Sequence, residues 1–155
     1  MKKLITCLVF CCAFVAGCDE STTDVVITEQ LVAEYPGDSV STTGSGAATK
    51  TSTISSSSLD FTNADSMRIK ITYWGSTNNT STNAINIGYI FSTSPDYNVY
   101  VYSIPSSIVT TAETTLDVTI GSPKVNKSFI YNMVYLNTDG FGGYLKFKDL
   151  KIYRK

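Results

Sequence analysis

The residues of this chain that could do chemistry are its carboxylates and its aromatic rings. It has no histidine, and its four cysteines all lie within the first 18 positions. Nucleophiles activated by histidine are therefore excluded, as are zinc sites built on histidine or cysteine. The remaining catalytic option is a carboxylate pair, Glu113 with Asp117 or Asp60 with Asp65. Charged residues beside turns or on solvent faces are the favoured interpretation of these acids, so we predict no enzyme activity and no cofactor.

The aromatic rings are the second group, with 10 Tyr, seven Phe and one Trp. Trp74, Tyr100 and Tyr102 fall on the face opposite to apolar residues of their own predicted strands. Such rings stack on the apolar faces of sugars, while tyrosine hydroxyls and nearby Asn or Thr side chains supply polar contacts. These three are the predicted ligand-binding residues. The alternative is that both faces of the strands are covered and that the rings are core or satellite packing.

The first 18 residues have the layout of a secretory signal. Two lysines precede an apolar run, Leu4–Ala16, which is shorter than the about 20 residues of a membrane-spanning helix. Its end, Val15-Ala16-Gly17-Cys18, resembles the lipobox of bacterial lipoproteins. The resemblance implies that residues 1–17 are removed and that Cys18 carries a diacylglycerol and an acyl chain such as palmitate. The alternative is an ordinary secretory signal that ends near a cysteine.

The residues after Cys18 bear on the location of the protein. Residues 18–24 are predicted to be the lipidated cysteine and a flexible spacer. Asp19 resembles the inner-membrane retention signal of lipoproteins of enterobacterial type. Together with Glu20 it also resembles the surface-export signal of the Bacteroidetes type. The polar, tyrosine-rich remainder favours the second, so we expect the outer membrane or the cell surface rather than the periplasmic face of the inner membrane.

Residues 25–155 are predicted to form a single β domain without helices. Apolar and polar residues alternate with period two, and turn-rich segments separate the runs. The clearest strands are 67–74, 85–91, 97–104, 116–120, 129–136 and 144–154. The Ser/Thr-rich segment 39–58 is expected to be a loop in its first half, around Gly44, and a strand in its second half; a disordered stalk is the alternative.

The last strand contains an irregularity that bears on the fold. Leu145 and Phe147 set one parity, whereas Leu150 and Ile152 set the other. Keeping all four inward requires an extra residue near Lys148-Asp149, which is a β-bulge. About eight antiparallel strands with a bulged C-terminal strand predict an all-β, two-layer β-sandwich of the jelly-roll type.

The segment Tyr144–Tyr153 resembles the closing strand of galactose-binding-like jelly rolls, including carbohydrate-binding modules. In many such modules the aspartate at the place of Asp149 helps to hold a structural calcium ion. The family's N-terminal ligands have no counterpart here, so we predict no metal site. The favoured interpretation of Asp149 is an aspartate that bonds to the backbone at the bulge.

The net charge is −1, and the basic residues cluster near the C-terminus. A nucleic-acid surface would need a strongly basic face, so no nucleic-acid partner is expected. Lys146, Lys148 and Lys151 are predicted to line the solvent side of the last strand; the alternative is a phosphate or lipid-headgroup patch. The predicted function is a lipid-anchored, non-catalytic envelope protein that binds a glycan. The alternative function is a structural lipoprotein that docks an envelope protein.

Overall fold

The computed structural model describes residues 28–76, 82–93, 96–138 and 140–155, with the side chains of residues 93 and 96 outside the description. The strands in this part of the chain are β1 (Gln30–Thr42), β2 (Gly46–Thr53), β3 (Leu59–Asp60), β4 (Ser66–Gly75), β5 (Asn83–Thr93), β6 (Asp96–Pro105), β7 (Thr114–Gly121), β8 (Asn126–Lys127), β9 (Phe129–Asn137) and β10 (Gly143–Arg154). One short 3-10 helix, Ser106–Ile108, precedes β7. Within the described ranges no helix is long and apolar enough to cross a bilayer.

The eight long strands form two antiparallel sheets. Sheet 1 has the order β1-β10-β4-β7, and sheet 2 has the order β2-β9-β5-β6. The chain passes from one sheet to the other at each connection between long strands except the hairpin from β5 to β6. This is the strand order of a jelly roll. The predicted all-β sandwich is therefore confirmed.

The core lies between the sheets because alternate residues of each strand point inward. Tyr131 of β9 is fully buried there, with its ring centroid 4.9 Å from that of Phe147 in an edge-to-face contact. The other large described side chains with less than 2% exposure are Phe61, Met67, Ile69, Ile71, Ile85, Ile87, Ile104, Phe129, Met133, Leu145, Leu150 and Ile152. The apolar residues that alternate with polar ones along each predicted strand are therefore the residues that fill the core.

The predicted β-bulge in the last strand is present. The register of β10 against β4 shifts between Lys148 and Lys151, and Asp149 has a φ of 54°. Asp tolerates this left-handed conformation better than most residues do. Leu145 and Phe147 before the bulge and Leu150 and Ile152 after it are all buried.

The Ser/Thr-rich segment is more regular than we expected. Its first residues, 39–42, are the end of β1, and only 43–45 form a turn before β2 begins at Gly46. The strand β2 pairs with β9 from Gly46 to Thr53, so it begins within the half that we expected to be a loop. The predicted strand in the second half is present only up to Thr53, since residues 54–58 form no strand. Backbone pairing with a central strand stabilises a segment that has few apolar side chains.

The directions of the strands define two ends of the sandwich. Thr28 lies at the same end as the β5–β6 turn and the short β3–β8 pair, because β1 starts there and β5 finishes there. We call this the N-terminal end. The turn between β1 and β2 and the connection from β9 to β10 lie at the opposite end.

Candidate ligand-binding site

The predicted lipid-attachment residue Cys18, the signal segment and the spacer lie outside the described residues, which begin at Thr28.

Trp74 lies on the outer face of sheet 1, and its ring is only partly exposed. The ammonium of Lys148 lies 5.6 Å from the centroid of the ring. The same ammonium donates to Glu113 at 2.7 Å, so an ion pair lies beside the indole. A sugar that stacked on this face of Trp74 would have to displace the lysine.

Tyr100 and Tyr102 point to opposite faces of sheet 2, although strict alternation predicts a shared face. Tyr102 pairs with the inward residue Ile87, whereas Tyr100 pairs with Gly88, the next residue of β5. Val101 is the extra residue of a β-bulge and reverses the parity. Tyr102 therefore packs against the core, while Tyr100 is 44% exposed on the outer face. Trp74, Tyr100 and Tyr102 do not form one surface.

Tyr100 stands next to a row of polar side chains that crosses sheet 2. Ser103 donates to Asn86 at 2.7 Å, and Asn132 donates to Thr51 at 2.7 Å. The side-chain amide nitrogen of Asn86 donates to Oδ1 of Asn132 at 3.4 Å. These groups are largely satisfied by one another, so they offer a ligand few open positions.

A different pair of rings is the most exposed aromatic pair among the described residues. Phe91 at the end of β5 and Tyr97 at the start of β6 are each 57% exposed, and their ring centroids are 5.7 Å apart at 85°. The register of β5 shifts between Ile90 and Ser92, which makes Phe91 a bulged residue. Strict alternation along the predicted strand 85–91 puts Phe91 on the same face as Ile85 and Ile87, so the sequence did not predict this pair. The available signal was that one aromatic residue flanks each side of a predicted hairpin turn.

Phe91 also lines an open cleft at the N-terminal end, which we call the rim cleft, and Tyr97 contacts this ring from outside the lining. The cleft has a volume of about 470 Å³ and is lined by Ser58, Ile90, Phe91, Ser92, Asn126, Lys127 and Ser128. The backbone N–H of Ile90 donates to the carbonyl of Ser128 at 3.0 Å, and Leu59 pairs with Lys127. The short strand β8 is thereby held against the end of β5.

The rim cleft contains polar groups without internal partners. Within the described part of the chain, the side chains of Ser58, Asn126 and Ser128 make no hydrogen bonds. Lys127 makes no ion pair there either, and its ammonium lies 5.9 Å from the centroid of Phe91. Open hydroxyls, an amide and an ammonium beside exposed rings are the mixture that binds sugars.

Three of the four candidate catalytic acids, Asp117, Asp60 and Glu113, have side-chain partners, whereas Asp65 bonds through its backbone. Arg68 donates two hydrogen bonds of 2.6 Å to Asp117, and they lower the pKa of that carboxyl. Hydrogen bonds from the Thr62 side chain and backbone lower the pKa of Asp60. Glu113 accepts from Lys148. A general acid needs a raised pKa instead, so Asp60 and Asp117 match the interpretation as charged turn and surface residues.

The lysines of β10 face solvent from the outer side of sheet 1. Lys148 pairs with Glu113, and Lys151 lies 3.2 Å from Glu34. Lys146 stands over the ring of Tyr144 at 5.3 Å. Because acids neutralise two of these cations, the face is a mixed-charge surface rather than a basic patch.

Asp149 is exposed on this same face. It lines a shallow depression together with Lys70, Thr72 and Lys151. Over residues 28–76, 82–93, 96–138 and 140–155, no group of three or more His, Cys, Asp or Glu side chains could hold a metal ion. The expected hydrogen bond between the Asp149 side chain and the backbone is absent among the described residues, and its left-handed backbone conformation is the feature that suits an aspartate here.

No protein-family model and no curated protein matches the sequence. Among solved structures, the chain is similar to a CBM4 protein, with a TM-score of 0.40 and 13% identity over 70% of this chain and 61% of that one. It is similar to a family 16 carbohydrate-binding module, with a TM-score of 0.44 and 10% identity over 72% and 73% of the two chains. It is also similar to the CBM22-1–GH10 modules of the Clostridium thermocellum xylanase 10B, complexed with xylohexaose, with a TM-score of 0.39 and 16% identity. That match covers 63% of this chain and 17% of the other.

Proposed function

We propose that the protein is a non-catalytic carbohydrate-binding protein and that the rim cleft takes the sugar. The observation that carries this proposal is the exposed pair Phe91 and Tyr97 beside side chains with open hydrogen-bonding positions. A solvent-exposed ring pair loses contact with water when a ligand covers it. The cleft can supply both the apolar contact and the polar contacts that a sugar ring requires.

The outer face of sheet 2 is a second surface that the aromatic residues suggest. Tyr100 is the exposed ring there, and a long glycan could extend to it along β6. The neighbouring amides already bond to one another, so this face supplies fewer open groups than the rim cleft does. We therefore place the main contact at Phe91 and Tyr97.

Binding of an envelope protein is the alternative function. A protein-docking surface would be a continuous apolar patch of a few hundred Å². The other large exposed apolar side chains lie in different elements: Leu31 in β1, Ile108 in the short 3-10 helix and Phe141 between β9 and β10. This scattered distribution favours the glycan.

The proposed location is the outer membrane or the cell surface, with Cys18 as the lipid anchor. In bacterial cells, we expect mass spectrometry of the mature protein to show a first residue Cys18 that carries acyl chains. The variant Cys18→Ser should leave the membrane fraction, because one residue carries the whole anchor. Cys7→Ser is the matched control, since that cysteine lies in the segment to be removed. An intact leader, or a mature N-terminus without lipid, would contradict the anchor.

The binding proposal is tested on a glycan array with the full chain in detergent. We expect wild-type protein to bind a subset of polysaccharides. Phe91→Ala and Tyr97→Ala should each lower the affinity about tenfold, which corresponds to about 1.4 kcal/mol for a stacking ring. Trp74→Ala and Tyr100→Ala measure how much the two outward-facing rings predicted from the sequence contribute to the affinity.

Phe141→Ala is the matched control for the array. It removes the same type of ring, which is 78% exposed, from the opposite end of the sandwich. Binding that is lost equally in this control, or no glycan binding by folded wild-type protein, would contradict the proposal. Binding that only Trp74→Ala removes would move the site to sheet 1.

A further inference from the structure

We infer that the rim cleft selects acidic carbohydrates and that Lys127 is the residue that selects them. This inference rests on the proposed carbohydrate-binding function and adds the class of sugar. It starts from the position of the Lys127 ammonium beside Phe91, in a cleft whose lining residues include no carboxylate.

Several other cations are neutralised by a carboxylate. The pairs are Lys50 with Asp38, Arg68 with Glu29 and Asp117, Lys148 with Glu113, and Lys151 with Glu34. Lys127 is partly buried in β8 and has no such partner among the described side chains. Its ammonium instead lies 5.9 Å from the centroid of the Phe91 ring.

The walls of the cleft do not neutralise the ammonium either. The lining residues are three serines, an isoleucine, a phenylalanine, an asparagine and Lys127, and none of them carries a carboxylate. An anionic group of a ligand would therefore meet an ammonium that no carboxylate of the lining residues neutralises. Charge-assisted hydrogen bonds of this kind are roughly twice as strong as neutral ones.

The position of Lys127 over Phe91 explains how it would discriminate between sugars. A sugar that stacks on that face of Phe91 displaces the ammonium from the ring, and the ammonium loses its cation–π contact. A neutral sugar replaces this contact only with hydroxyl groups. A uronic acid replaces it with a carboxylate, which is the stronger partner.

An anionic membrane surface would also attract a lysine beside exposed rings. The walls of the cleft favour a sugar, because Ser58, Asn126 and Ser128 present open hydroxyl and amide groups rather than apolar side chains. Acyl chains would leave these groups without hydrogen-bond partners, whereas sugar hydroxyls would satisfy them.

The test compares polymers that differ only in charge. The full chain is titrated with polygalacturonate and hyaluronan, and with the neutral methyl esters of the same two polymers. We expect wild-type protein to bind the acids at least about tenfold more tightly than the esters, as one charge-assisted hydrogen bond allows. Lys127→Met should remove most of this preference and change the affinity for the esters less than about twofold.

Lys146→Met is the matched control, because that ammonium also stands over a ring, on another face of the molecule. The inference is overturned if Lys127→Met lowers the affinities for the acids and for the esters equally. It is also overturned if Lys146→Met loses as much of the preference for acids. Binding only to neutral polysaccharides, through Phe91 and Tyr97, overturns the acidic selectivity and leaves the proposed function intact. Binding to phosphatidylglycerol vesicles that requires Lys127, without binding to any polysaccharide, overturns both.

Discussion

Replacing Gly88 with alanine is expected to lower the free energy of unfolding by about 3 kcal/mol, at the upper end for overpacked sites. A Cβ atom at Gly88 would lie 2.1 Å from the carbonyl oxygen of Val99 and 2.8 Å from the Cα atom of Tyr100. Both are backbone atoms of β6, which hydrogen bonds to β5 hold in place. They cannot rotate away as the end of a side chain can, so the strands must separate locally.

Gly121→Ala is the matched control for this prediction. Gly121 ends β7, and a Cβ atom there would meet no heavy atom within 4 Å. Alanine restricts the unfolded chain more than glycine does, so this variant should be unchanged or more stable by about 0.5–1 kcal/mol. Urea denaturation of the two variants measures the difference. Equal stability of both would mean that β5 and β6 do not pair through the bulge at Val101.

This pairing also positions the proposed site. Phe91 and Tyr97 belong to the two strands that Gly88 allows to approach, and their rings meet across the hairpin. We therefore expect Gly88→Ala to weaken ligand binding as well, while Gly121→Ala leaves it unchanged. If Gly88→Ala lowered the stability but left binding unchanged, ligand binding at the rim cleft would not depend on the pairing of β5 with β6.

The sequence predicted the strands well where the two faces differ in polarity. In β4, Met67, Ile69 and Ile71 alternate with polar residues, and all three are buried. The bulge at Asp149 was predictable for the same reason, because lysines mark the solvent side of β10 on both sides of the parity switch. A bulge can be predicted from the sequence only when one face of the strand is apolar and the other is polar.

The bulges of sheet 2 were not predictable on that basis. In β6, Tyr100, Val101 and Tyr102 suit either face, so the sequence carries no mark of the extra residue. The same holds for Ile90 and Phe91 in β5. The bulge at Val101 is the reason that Tyr100 and Tyr102 were placed on one face, and the bulge at Phe91 is the reason that the pair Phe91–Tyr97 was missed.

A network around Asp38 was also invisible in the sequence, because its members are far apart along the chain. Lys50 donates to Oδ1 of Asp38 at 2.5 Å, and the hydroxyl of the buried Tyr131 donates to Oδ2. The hydroxyl of Tyr35 lies 3.1 Å from that of Tyr131. These contacts join β1 and β2 to the central strand β9 at the edge where the two sheets meet.

The network determines how the stability depends on pH. Burial raises the pKa of Asp38, but hydrogen bonds from Lys50, Tyr131 and the Ser39 backbone outweigh it and leave the pKa below the ordinary value of 3.8. The unfolded chain therefore binds a proton at Asp38 more readily than the folded chain does. The resulting stabilisation is fully present above about pH 4 and is lost as the pH falls through the lower folded-state pKa.

Asp38→Asn is therefore expected to destabilise the protein by about 2 kcal/mol at pH 7, the typical value for hydrogen bonds to a charged group. Asparagine keeps the shape but removes the charge that Lys50 and Tyr131 recognise. The matched control is Glu34→Gln in the same strand, whose exposed pair with Lys151 is worth about 0–1 kcal/mol. Urea denaturation from pH 7 to pH 2 should show the Asp38→Asn difference shrinking below pH 4, because the wild-type carboxylate then takes up a proton. A difference that stays constant over this range would mean that the charge of Asp38 does not stabilise the junction between the sheets.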